Sequence, residues 1–102
     1  MAARSFSQGV RRALAKRDGH VCRACGIQGK QEADHCRPHC AGGDSSLSNA
    51  QLLCAPCNAA KSNRALTLLP WPATRASQDA KRINRNRQAF VLLVRDAWQW
   101  EG

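Results

Sequence analysis

The sequence predicts a small α+β domain: two short strands and a short helix, gathered by cysteines and flanked by a helix at each end. Three observations predict it. Two Cys-x-x-Cys pairs stand with 28 residues between them, apolar residues recur about four apart near both ends, and short apolar runs bounded by turn residues lie between. At 102 residues the chain has room for one domain, taken as 1–102 with a core motif at about 11–64 and a basic C-terminal helix at about 74–100. A domain of that size buries a modest part of its unfolded surface, so a staple beyond the apolar core is expected.

The elements follow in order. Ser5 to Arg17 reads as an amphipathic helix, with Ser5 or Ser7 as N-cap and Phe6, Val10 and Leu14 on one face. Asp18-Gly19 ends it. In Cys22-Arg-Ala-Cys25-Gly26 the glycine permits the tight turn that aims two sulfurs at one centre. Gln31 to Arg37 reads as a strand, Pro38 to Ser48 as a loop and Asn49 to Leu53 as a second strand. The second pair, Cys54-Ala-Pro-Cys57, opens a helix predicted from Cys57 to about Ser62, with Pro56 in its first turn. Pro70, Trp71 and Pro72 make Ala65 to Ala73 an irregular connection. Thr74 or Ser77 then caps a helix reaching about Trp100. Its apolar stripe, Ile83, Phe90, Val94, Ala97 and Trp98, is expected to pack on the N-terminal helix.

A formal charge of +9 and a pI near 10.1 point to an acidic polymer as partner, nucleic acid ahead of an anionic membrane; the plain alternative is charge for solubility. The excess sits in two blocks, Arg11, Arg12, Lys16 and Arg17, then Lys81, Arg82, Arg85, Arg87 and Arg95. The longest apolar run, Ala89 to Val94, is far short of the ~20 residues of a membrane helix, and Met1 to Arg17 lacks the pattern of an export signal. A soluble, cytoplasmic protein is expected. In a reducing compartment the cysteines serve better as metal ligands than as disulfides, and Cys22, Cys25, Cys54 and Cys57 supply the four thiolates of a structural zinc ion. Such a set closes the coordination sphere and leaves that metal no chemistry. Cys36, His39 and Cys40 read as strand and loop residues, with a second metal site as the alternative.

Between the pairs the chain carries Asp34-His35, then Pro38, Gly42-Gly43, and Asn49 fourteen residues after the histidine. In this order and spacing the segment resembles the HNH endonucleases. The resemblance implies a zinc-stabilised ββα-metal (His-Me finger) fold that hydrolyses DNA phosphodiester bonds, double-stranded or branched. His35 is implied as general base, Asn49 as the tether of the loop, and Asp34 as a ligand of a catalytic Mg²⁺ or Mn²⁺. Its compact form is similar to bacterial and phage examples. The chemistry agrees: phosphodiester hydrolysis needs a base for water, a cation for the developing charge and positive groups for the strand.

One position departs from the family pattern: Asn58 stands where most relatives have a metal-binding histidine. Either catalysis is lost and a zinc-braced nucleic-acid-binding module remains, or Asn58 offers its amide oxygen beside Asp34. The second reading leaves an oxygen-only protein site, suited to Mg²⁺ or Mn²⁺ rather than zinc. Lys61, one turn on, and Arg64 are read as phosphate contacts or as plain surface residues. Arg11, Arg12, Arg82 and Arg85 form a footprint for backbone phosphates. Trp98 is read as core, and Trp71 equally as core or stacking platform. A zinc ribbon serving protein contacts is a third reading, disfavoured by the basic charge. Monomer and homodimer are both open.

Overall fold

The computed structural model describes residues 5–29, 31–62, 64–66, 76 and 78–96. The expectations for Pro70, Trp71, Pro72, Thr74, Ser77, Ala97, Trp98 and Trp100 fall outside the described residues. Helix α1 spans Gln8–Asp18. Ser7 is the N-cap, its hydroxyl accepting from the Val10 amide at 3.2 Å, and Gly19 closes the helix in the left-handed conformation (φ 68°). Phe6 and Leu14 are buried and Val10 partly so, as their spacing predicts.

Asp18 ties α1 to the rest of the molecule. It is 1% exposed, pairs with Arg17 and Arg23, and accepts from the Leu52 amide at 3.2 Å. Arg17 also donates to the carbonyls of Leu47 and Ala50. The first cysteine turn follows, closed by Gly26 N–H to Cys22 O at 3.0 Å and by an isolated bridge between Val21 and Gln28.

Strands β1 (Glu32–His35) and β2 (Ala50–Leu53) form a two-stranded antiparallel sheet that pairs Asp34 with Gln51 and His35 with Ala50. Both are shorter than the sequence runs suggested. Beyond His35 the partner of Arg37 is the Asn49 side chain, so loop bonds take over from the ladder. Two 3-10 turns, His39–Ala41 and Leu47–Asn49, order the intervening loop. Helix α2 (Ala55–Lys61) begins two residues before the predicted start, with Cys54 as N-cap and Pro56 in the first turn, where no amide is needed.

Helix α3 spans Ala80–Arg95, with Asp79 as N-cap accepting from the Lys81 amide. Ile83, Phe90 and Val94 are buried as expected, but their partner is different. The stripe packs against α2 and the four cysteines, together with Leu53, while Phe6 and Leu14 of the N-terminal region pack on Ala50 and Leu52. The described core is therefore two clusters on either side of the sheet, not one helix–helix interface. Among the described residues no helix is long and apolar enough to cross a membrane.

Candidate active site and metal centre

Both cysteine turns deliver their sulfurs to one point. Cys22, Cys25, Cys54 and Cys57 are buried, and their sulfur atoms all lie within 4.8 Å of one another, Cys25 to Cys54 at 3.7 Å. Zn–S bonds of ~2.3 Å at tetrahedral angles place sulfurs ~3.8 Å apart, so the four thiols are spaced for a structural zinc ion. All six cysteines are free of disulfides, and Cys36 and Cys40 lie outside this cluster. Hydrogen bonds with Cys22 and Cys57 draw the Cys25 thiol down to about 3, whereas bonds with Cys22 and Cys25, and burial, push Cys57 up. One negative charge is shared readily and further ones are resisted, which is the situation a divalent ion relieves. Arg87 of α3 donates to Cys54 Sγ at 3.5 Å and Asn86 to the Cys25 carbonyl at 2.9 Å, so α3 is bonded to the centre as well as packed on it.

Strand alternation sends neighbouring side chains of β1 to opposite sides. His35 turns towards Phe6: the rings stack at 4.1 Å between centroids and 21° between planes, and Nε2 lies 3.0 Å from Ser45 Oγ. Burial holds the imidazole below its ordinary value, helped by the positive charge of His39 and Lys61 and opposed by the nearby carboxylates of Asp34 and Asp44. His35 is therefore neutral near pH 7. Asn49 holds the loop that carries Ser45: its Oδ1 accepts from the Arg37 amide at 2.8 Å, and its Nδ2 donates to the carbonyls of Arg37 (3.1 Å) and Asp44 (2.8 Å).

Asp34 turns the other way, towards α2. It is buried, accepts from Gln51 Nε2 at 3.0 Å and pairs with Lys61 Nζ at 3.2 Å. Burial raises the Asp34 carboxyl above its usual range, against the pull of Lys61 and Gln51. Lys61, read from sequence as facing a phosphate or solvent, is instead fully buried, and its ammonium also donates to the His35 carbonyl at 2.9 Å. Removing one partner of such a pair costs about 3–5 kcal/mol, because the other charge is left buried and uncompensated. Asn58 donates from Nδ2 to Glu32 Oε1 at 2.8 Å, which leaves its amide oxygen for another partner.

The basic residues divide. Arg64 does not project as a phosphate contact; it donates to the carbonyls of Val94 and Arg95 at the end of α3, where a cation also complements the helix dipole. Arg11, Arg12, Arg82 and Arg85 are exposed, Arg11 also donating to the Phe6 carbonyl. Sequence reasoning passed over four residues that shape the site: Phe6, Ser45, Gln51 and Glu32. Phe6 was visible only as an apolar residue, and Gln51 becomes readable once the strand register sets it opposite Asp34.

A two-stranded antiparallel sheet with a short helix, closed by a four-cysteine cluster, defines a zinc-stabilised ββα domain. The family model described as HNH endonuclease matches residues 22–64, from the first cysteine turn to just past α2, and supports a nuclease-type domain there. His35, Asn49, Asn58 and both cysteine pairs all lie within the matched stretch. No curated protein and no solved structure is significantly similar to the chain.

Proposed function

We propose that the protein is a metal-dependent DNA endonuclease or nickase in which His35 is the general base. The observation that carries this reading is the setting of His35 within the family segment: an imidazole kept neutral by burial, stacked on Phe6 and hydrogen-bonded by a loop residue. With the Nε2 proton donated to Ser45 Oγ, Nδ1 holds the lone pair that removes a proton from water. Asn49 fixes the loop and so the imidazole.

On the α2 side, opposite the His35 ring, the carboxylate of Asp34 and the amide oxygen of Asn58 are donors that suit a hard cation. The ion has to displace the Lys61 ammonium from Asp34, and the end of β1 has to turn for His35 to face it. Asp34 and Asn58 are the proposed holders of Mg²⁺ or Mn²⁺, which when bound supplies electrostatic stabilisation of the phosphoryl oxygens and the leaving oxygen. Arg11, Arg12, Arg82 and Arg85 bind backbone phosphates without reading sequence. One catalytic histidine per chain makes cleavage of a single strand, leaving a 5′-phosphate and a 3′-hydroxyl, the simplest outcome.

A second reading, a nucleic-acid-binding module without catalysis, draws on Asn58 in place of histidine and on the Lys61 pairing of Asp34. Incubating supercoiled plasmid with the zinc-loaded protein separates the two. Nicking that needs Mg²⁺ or Mn²⁺, is not supported by added zinc and falls at least 100-fold in His35→Ala is the expected result. Plasmid binding with no nicking by the unmodified protein would establish the module instead.

A further inference from the structure

A fully buried lysine ammonium is uncommon, because the side chain ordinarily carries its charge out to water. Here the sequence offers it an exit, since Lys61 is the last residue of a short helix and Ser62 beside it is exposed. The ammonium nonetheless points inward, to Asp34 Oδ2 at 3.2 Å, Asp34 Oδ1 at 3.4 Å and the His35 carbonyl at 2.9 Å. Gln51 holds the same carboxylate from the neighbouring strand and anchors itself on the Leu66 carbonyl at 3.0 Å. Among the described residues the donors on Nζ meet oxygens, including both oxygens of the carboxylate. That is the environment a small hard cation takes, occupied by a cation of the chain itself.

Resting on the nuclease reading above, we propose that Lys61 is a positioning residue that serves as the site's placeholder cation: its ammonium holds Asp34 and the His35 carbonyl in place until a divalent ion takes that position and releases the side chain. The two cations exclude each other. A divalent ion bonding to Asp34 at 2.0–2.1 Å would stand within a few ångströms of the ammonium in a buried setting, where like charges repel strongly. The divalent ion brings twice the charge to the same carboxylate. The displaced ammonium, one turn beyond Asn58, then reaches solvent beside the metal, where a strand phosphate is its natural partner. Lys61 therefore has two stations, a carboxylate before metal entry and a phosphate after it. The first keeps Asp34 compensated and the β1–α2 contact closed while no metal is bound.

The wild-type, zinc-loaded protein tests this without any substitution. Amine acylation mapped by mass spectrometry is expected to leave Lys61 protected in metal-free buffer, and to modify it at least 10-fold faster when Mn²⁺ is added, with Lys16 and Lys81 as exposed references. Lys61→Met keeps the length and removes the competitor, so Mn²⁺ affinity measured by electron paramagnetic resonance should rise at least 10-fold over wild type, and Asp34→Asn should abolish the gain. Mn²⁺ that binds while Lys61 stays protected overturns the proposal, as does absence of Mn²⁺ binding. If Lys61→Met does not fold, the acylation rates decide alone. The nuclease reading fails separately: Mn²⁺-driven release of Lys61 without plasmid nicking would leave the exchange standing and remove the hydrolysis.

Discussion

His35 has two neighbours with separable effects. Ser45 fixes the direction of the ring, while Phe6 stacks on one face of an imidazole that burial holds below its ordinary value. The sign is direct: the neutral ring is the base, a lowered value keeps it neutral to lower pH, and activity is lost as pH falls through that value. The acid limb of the pH–rate profile in the wild type is therefore expected below 6.5, the ordinary histidine value. Phe6→Ala admits water to the ring and should move that limb upward, with the plateau at high pH reduced by less than about 10-fold. Nicking rates measured between pH 5 and 9 check it, and a profile unmoved by the substitution would mean that Phe6 stacking does not set the basicity of His35.

The hairpin connection between β1 and β2 is the element on which the histidine depends. Its three-way Asn49 clasp brings Arg37, Asp44 and Asn49 together, and Gly43 passes so close that a Cβ there would collide with the Arg37 carbonyl and come within 2.9 Å of Asn49 Nδ2. Both opposing atoms belong to the clasp and cannot retreat. Gly43→Ala should therefore destabilise the protein by about 1–3 kcal/mol, the usual cost of overpacking, and depress nicking further than stability alone explains, because Ser45 moves with the loop. Thermal melting and nicking rate, measured together, check the two parts. This element was legible through the family resemblance, which implied Asn49 as the tether of the loop, and not through spacing alone. Ser7 was legible as a capping residue just before an apolar period. The partner of α3 was not: periodicity tells which face of a helix is apolar, and nothing about what that face meets. Its cap was not either, since Thr74, Ser77 and Asp79 are all capping types. Lys61 stayed hidden because a lysine reads as exposed, and only the register that brings Asp34 against α2 shows the carboxylate waiting for it.

For the whole molecule, the described core consists of two clusters joined through a sheet of only two strands, so neither can be large. One of them is built around Cys22, Cys25, Cys54 and Cys57, and into it go Leu53, Ile83, Phe90 and Val94. Four thiolates share so small a space only around a divalent ion, and the bond from Arg87 to Cys54 ties α3 to that centre. Structural zinc contributes roughly 10–16 kcal/mol in small cysteine-ligated domains, which equals or exceeds the ~5–15 kcal/mol that a whole domain usually has. Removal of the ion should accordingly unfold this side of the protein first. Hydrogen exchange followed by mass spectrometry, before and after extraction of one zinc per chain, is expected to show loss of protection in both cysteine turns, α2 and α3, with α1 and its contacts on Ala50 and Leu52 lost later or to a smaller degree. Exposed arginines on α1 and α3, Arg11 and Arg12 with Arg82 and Arg85, would then no longer be held in one arrangement, and plasmid binding should weaken along with protection of α3. Protection of α3 that survives full extraction would show that apolar packing alone docks this helix, and that the cysteine centre is dispensable for the fold.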